Sequence, residues 1–254
     1  MKKGTVGILL LAMLGVVFLG GCGTNLPPWK KLRGRGGVTS QEHSLPGDSY
    51  SLEIADIQFT GSWTGVIEVD EDLPDVLALS TEENIAATIT VTVDEDRGKI
   101  RLKGDKGYRY STENLKIQVG VPLYRLQIDG GYSLDLKLPS ATDFALHVNG
   151  AVSGSLAFEQ LDSLEMVVNG AGSLTLTGSG QKANVHINGA ANIDATDFDT
   201  VDSAIAINGA GHCQVRVTGN LEAEVNGVGS ITYYGSPTTV NKKVAGLGSI
   251  KKGE

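Results

Sequence analysis

Cysteine is nearly absent: Cys22 and Cys213 are the only two in 254 residues. Two thiols exclude a disulfide framework, and no Cys-x-x-Cys pair offers a metal or redox motif. Aromatic residues are scarce as well, at 6% of the chain. In the second half they are Phe144, Phe158, Phe198, Tyr132, Tyr233 and Tyr234, few rings for stacking sugars. Basic residues are outnumbered, with 21 Lys and Arg against 29 Asp and Glu. An acidic body argues against nucleic acid as a partner, because phosphate binding needs a basic surface. No phosphate loop, dinucleotide fingerprint or nucleophile elbow is present. The nearest phrase, Gly150-Ala151-Val152-Ser153-Gly154, has no helix to follow its turn. Helical periodicity is missing too, and a long apolar run occurs only once.

That run, Val6 to Leu19, follows Lys2 and Lys3 and precedes Leu19-Gly20-Gly21-Cys22. A basic start, a short apolar stretch and small residues at a cleavage site make residues 1–21 a lipoprotein signal peptide. Cys22 directly after the two glycines fits a lipobox, whose thiol is diacylated and becomes the first residue of the mature chain. Two acyl chains anchor stably. The alternative is an uncleaved signal anchor with Cys22 incidental, but the run barely reaches the ~20 apolar residues a bilayer requires. Losing Lys2 and Lys3 with the leader moves the formal charge from −8 to −10. The protein is therefore expected outside the cytoplasm, held by lipid to the cell membrane. In a diderm cell that is the outer membrane, since Gly23 is not the Asp of inner-membrane retention.

Residues 22–46 carry Pro27, Pro28, Gly34, Gly36, Gly37 and Pro46 with little apolar pattern, and read as a flexible tether. Lys30, Lys31, Arg33 and Arg35 within it either hold the tether on anionic lipid or are ordinary linker charge. Residues 47–254 then form one domain. Its first section alternates apolar and polar residues over 51–54, 65–69, 87–93, 99–102 and 115–119, which predicts strands with one buried face. Asp94 to Gly98 reads as a hairpin turn, and Ser80 to Asn84 as the cap of a single helical turn.

From about 124 to 254 one phrase recurs: Leu126-Gln127-Ile128-Asp129-Gly130, then copies ending at Asn149-Gly150, Asn169-Gly170, Asn188-Gly189, Asn208-Gly209, Asn226-Gly227 and Ala245-Gly246. The steps are 20, 20, 19, 20, 18 and 19 residues. A fixed period of this size marks a repeat architecture. Asn-Gly suits backbone with φ > 0 and is also the strongest hairpin signal, so a meander of hairpins competes with a β-solenoid. Five positions after the turn an apolar residue returns at Leu134, Leu174, Ile193, Cys213, Ile231 and Ile250. Equal length and identical corners in every repeat favour the solenoid, where like residues stack. Asn149, Asn169, Asn188, Asn208 and Asn226 should then form a hydrogen-bonded structural ladder. Gly154 breaks the apolar column, which predicts a bulge or a corner insertion there.

The phrase Val168-Asn169-Gly170-Ala171-Gly172-Ser173-Leu174, its copy Ile207 to Gly211 and the lead-in Leu115 to Leu123 resemble the head GIN domain family of auto-transporter adhesins. The resemblance covers roughly 50–254. It implies an all-β, right-handed parallel β-helix-like solenoid with a strand-rich N-terminal section, in an exported and often lipid-anchored protein. It implies no enzymatic activity and supplies no catalytic or binding residue. No series of strands resembling a membrane barrel follows, so export through a self-made pore is not expected.

Other candidate chemistry is thin. Asp194, Asp197, Asp199 and Asp202 form the densest acidic run, but the spacing matches no calcium loop. His147 and His186 fall two coils apart, ~9–10 Å by the strand spacing, too far to share a zinc ion. Cys213 replaces an aliphatic residue and reads as a buried thiol, and Trp63 reads as core. We therefore expect no metal, no cofactor and no catalysis. The leading reading is a binding module for a cell-surface glycan or envelope protein. A carbohydrate-active enzyme on the same fold and an envelope-stress or signalling accessory lipoprotein are the alternatives.

Overall fold

The computed structural model describes residues 29–254 except 62, 63, 71, 139 and 140, and the side chains of 141 and 142. The leader, Cys22 and Trp63 lie outside the described residues. Those described are all-β apart from one helical turn, and form one large mixed sheet plus a two-stranded sheet, with no closed barrel. Among them no helix is long and apolar enough to cross a membrane.

The reading of 22–46 as a flexible tether is corrected from Lys30 onward. Strand β1 (Lys30–Arg33) pairs in parallel with β8 (Tyr108–Ser111), and β2 (Val38–Ser44) pairs antiparallel with β5 (Val76–Glu82). β2 is polar and almost wholly exposed, so backbone hydrogen bonds hold it rather than a buried face. That is why apolar periodicity did not reveal it.

The alternating segments of the first section do form strands. They are β3 (Tyr50–Ala55), β4 (Gly65–Val69), β6 (Ile89–Asp94), β7 (Lys99–Gly104) and β9 (Lys116–Val119). β6 and β7 make the expected hairpin, with Gly98 at φ 55° and Asp94 accepting from the Arg97 backbone. The expected helical turn is α1 (Glu83–Ala86). Their pairing was not foreseen. β3 and β4 lie in parallel against the two arms of β10 (Leu123–Leu138), matching Leu52 to Leu126 and Ile67 to Leu134. β7 and β9 lie in parallel on β3 and β4 in turn. The N-terminal section thus adds two further levels to the repeats.

The repeats occupy β10, β11 (Ala141–Gly209), β12 (His212–Val217), β13 (Asn220–Gly227), β14 (Ser230–Gly235), β15 (Thr239–Gly246) and β16 (Ser249–Lys252). The pairings between them are parallel and, outside one shift of register, join equivalent residues. Arg125 to Leu138 match Ala145 to Phe158 at a constant offset of 20. Asn208 matches Asn226, and Gly227 matches Gly246. The bulge predicted at Gly154 is not there, since Gly154 sits in unbroken register on Leu134. The register shifts instead between Ala195 and Asp199.

Stacked columns build the core. One is Leu52, Leu126, Leu146, Met166, Val185, Ile205 and Ala223; its neighbour is Ile54, Ile128, Val148, Val168, Ile187, Ile207 and Val225, all buried. In the same core Phe158 packs on Phe144 and Phe198, with ring centroids 5.6 and 5.7 Å apart. The fully or nearly buried apolar side chains run from Leu45 to Tyr233, so residues 29–254 contain their own core. At each corner the glycine after the ladder residue has φ between 141° and 153° at Gly150, Gly170, Gly189, Gly209 and Gly227. A Cβ there would stand 2.0–2.4 Å from the carbonyl oxygen of the glycine one level below. No other residue allows so close a backbone approach.

Candidate functional site

The corner residues form one continuous row of side-chain hydrogen bonds. Asn149 Nδ2 donates to Asp129 Oδ1 at 2.8 Å, and Asn169 to Asn149, Asn188 to Asn169 and Asn208 to Asn188 at 2.9 Å each. Asn226 donates to Asn208 at 3.0 Å and also to Glu224 Oε1. All the amides point one way, so Asp129 is the acceptor at the end of the row. An amide offers two N–H bonds and two carbonyl lone pairs. The row uses one of each at Asn149, Asn169, Asn188 and Asn208, which are exposed. The unused N–H and lone pair face solvent.

Where this row ends, the N-terminal levels and the first repeat enclose an open groove of about 820 Å³. One wall comes from the stretch after β3, with Asp56, Gln58 and half-buried Phe59; Arg109 of β8 forms another. Asp129 and Asn149 also line it. Gly130, Gly131, Gly150 and Ala151 line it as well, so part of its surface is backbone. Asp56 holds φ 59°, a conformation that Asp tolerates better than most residues. The Arg109 guanidinium lies 4.9 Å from the Trp29 ring centroid, and Phe59 packs edge-on against buried Tyr132 at 5.6 Å. The groove thus joins carboxylates, amides and a guanidinium to the Phe59 ring, a donor and acceptor set that suits a hydroxyl-rich ligand. Sequence reasoning missed it because its residues come from 56–64, 109 and 129–151, and nothing in the sequence joins the repeat corners to Arg109 or to 56–64.

Most of the remaining candidates are engaged locally, while Asp197 and His186 are exposed. Asp194 accepts from the Thr196 backbone and hydroxyl, Asp199 faces Arg216 at 3.5 Å, and Asp202 accepts from Asn220. Among the described residues no cluster of three metal-ligating side chains occurs. His147 bridges Arg125 and Glu165 at 3.1 Å each, while His186 is exposed and His212 bonds Ser230. Cys213 is buried, and burial pushes its thiol up to about 12, which makes it a poor nucleophile. Tyr233 is buried and half-buried Tyr234 donates to Gln214 Oε1.

Ion pairing accounts for most displaced carboxyl groups. The Lys99 ammonium holds Glu53 below the usual range, as Lys116 does Glu68, Lys137 does Asp70 and Lys243 does Glu224. Such shifts move acids away from neutrality, the opposite of what a general acid requires.

Residues 56–237 match the family described as "Putative auto-transporter adhesin, head GIN domain". No curated protein matches the chain. Among solved structures, a putative adhesin from Bacteroides fragilis is similar at 22% identity and TM-score 0.72, covering 87% of this chain and 99% of its own. A protein from Parabacteroides distasonis, described as a putative lipid binding protein, is similar at 21% identity and TM-score 0.62, covering 89% of this chain and 100% of its own. A putative adhesin from Parabacteroides merdae is similar at 18% identity and TM-score 0.55, covering 88% and 99%. At these identities the likeness is one of fold.

Proposed function

Because the chain belongs to the head GIN domain family of putative auto-transporter adhesins, matching it over residues 56–237, we propose that it is a non-enzymatic binding module of the cell envelope. In this reading a lipid on Cys22 anchors it outside the cytoplasm. Residues from Tyr50 onward form a rigid, right-handed parallel β-helix-like solenoid, and the groove at its N-terminal levels takes a hydroxyl-rich ligand, a cell-surface glycan. The parallel pairing of equivalent residues every 18 to 20 positions supports the solenoid.

The groove carries the functional reading. Arg109, Asp129 and Asn149 line it together with Gly130, Gly131, Gly150 and Ala151. Sugar hydroxyls need paired donors and acceptors, and a pyranose face needs a flat apolar partner, which the half-buried Phe59 ring in the groove offers. Nothing in the family or among the solved relatives points to a reaction.

Residues 29–254 on an array of envelope glycans should retain a defined subset. Asp129→Ala and Arg109→Ala should each weaken that binding about tenfold or more, as expected when a charge-assisted hydrogen bond is lost. No retained glycan, or retention indifferent to both substitutions, would sink the groove as the site. Labelling with a radioactive fatty acid, lost in Cys22→Ser, tests the anchor separately.

A further inference from the structure

The inward columns change character in the last coil. Where lower levels place Leu126, Leu146, Met166, Val185, Ile205 and Ala223, the next residue in register is Lys242. On the opposite arm, Val215 and Tyr233 are followed by Lys252. Lys242 lays its ammonium 4.7 Å from the Tyr233 ring centroid. Lys243 pairs with Glu224 one level below, and Lys251 belongs to β16. Residues 239–254 hold four lysines and one acid, Glu254, in a chain of net charge −8.

Large apolar side chains protrude between these lysines. Leu247 is 88% exposed, the most of any large apolar residue described; Val244 is 45% exposed and Val228 61%. The offset of 19 that joins Gly227 to Gly246 and Ser230 to Ser249 sets Leu247 directly over Val228. At the same corner position lower levels carry only Gly131, Ala151, Ala171, Ala190 and Ala210. The corner thus widens from glycine to leucine as the charge turns from acidic to basic.

We infer that this end of the stack docks on an anionic phospholipid surface. Leucine and valine tips enter the boundary between headgroups and acyl chains, and the lysines run their stems along apolar surface with ammonium groups at the phosphates. An added protein strand fits the same edge poorly. It would enclose Lys242 and Lys252 in the core columns, and enclosing an unpaired charge is costly. A soluble polyanion would use the lysines but leave Leu247 without a role. The contact is independent of the glycan groove, which lies at the opposite end of the coil order.

The test uses residues 29–254, which lack the lipidation site, and glycan-free vesicles, so that its outcome does not depend on the groove. The protein should co-sediment with vesicles of phosphatidylglycerol and phosphatidylcholine, not with phosphatidylcholine alone, and salt should release it. Leu247→Asp should weaken partitioning about tenfold by removing a buried apolar side chain. Lys251→Glu with Lys252→Glu should weaken it about tenfold or more, because each basic residue near such a surface contributes about a factor of five. Circular dichroism confirms that both variants stay folded. Equal binding to both vesicle types, binding unchanged by either substitution, or binding lost instead in Lys30→Glu with Lys31→Glu would overturn the assignment. So would competition by heparin with no effect of Leu247→Asp.

Discussion

A column of glycines fixes how closely the levels approach. At Gly170 the backbone sits at φ 146°, and a Cβ would stand 2.0 Å from the Gly150 carbonyl oxygen. That contact is backbone on backbone, so no rotamer change relieves it. Gly170→Ala therefore combines a positive-φ penalty with a steric one, and should destabilise the protein by about 2 kcal/mol or more. Urea denaturation followed by circular dichroism measures it; a loss below about 0.5 kcal/mol would mean the levels spread easily. The neighbouring asparagine tolerates change better, because its amide is exposed and its loss leaves partners open to water.

Among the elements, Glu82 does at the end of β5 what the ladder does at the corners. Its carboxylate is nearly buried and accepts from Thr112 at 2.7 Å, Asn114 at 2.8 Å and Thr81 at 3.1 Å. Burial alone would raise its pKa, but these hydrogen bonds outweigh it and the net shift is downward. A lowered value in the folded state means stability present above the ordinary glutamate value of 4.5 and lost as pH falls through the folded one. Glu82→Ala should cost about 1–3 kcal/mol at neutral pH, since Thr112 and Asn114 lose their acceptor. Glu82→Gln should flatten the acid side of the stability profile. Thermal melts between neutral pH and pH ~2 check both; identical slopes in wild type and Glu82→Gln would refute the role given to the hydrogen bonds.

The same scale separates what the chain reveals in one dimension from what it hides. The ladder positions and apolar columns were legible because each level repeats the chemistry of the last. β3, β4, β7 and β9 were legible as strands by alternation, but not as levels of the stack, since none carries the Asn-Gly corner. β2 was hidden because its side chains are solvated and only its backbone is paired. The bulge was expected at Gly154, where an apolar residue is missing; it falls instead at Thr196 to Phe198, where the count of residues changes. The groove was invisible because nothing in sequence links Arg109 to Asp129.

For the whole molecule, the register makes one level the unit of change. Excising residues 170–188 joins Asn169 to Gly189 and keeps both the corner phrase and the parallel offsets. Nearest-neighbour contact is what sustains such stacks, so this deletion should fold cooperatively with the β signal of the parent in circular dichroism. Excising 170–179 removes half a level, leaves the levels on either side without matching partners and should abolish folding. If both deletions behaved alike, the repeat would not be the structural unit.

Carbonyl oxygens wedged under glycines leave the distance between levels no room to relax, so the long dimension of this protein is set by its main chain and not by side-chain fit. Point substitutions can weaken the body but cannot tune its reach. A longer or shorter relative must differ by whole multiples of the 18- to 20-residue step, as a stack of equal blocks grows only one block at a time.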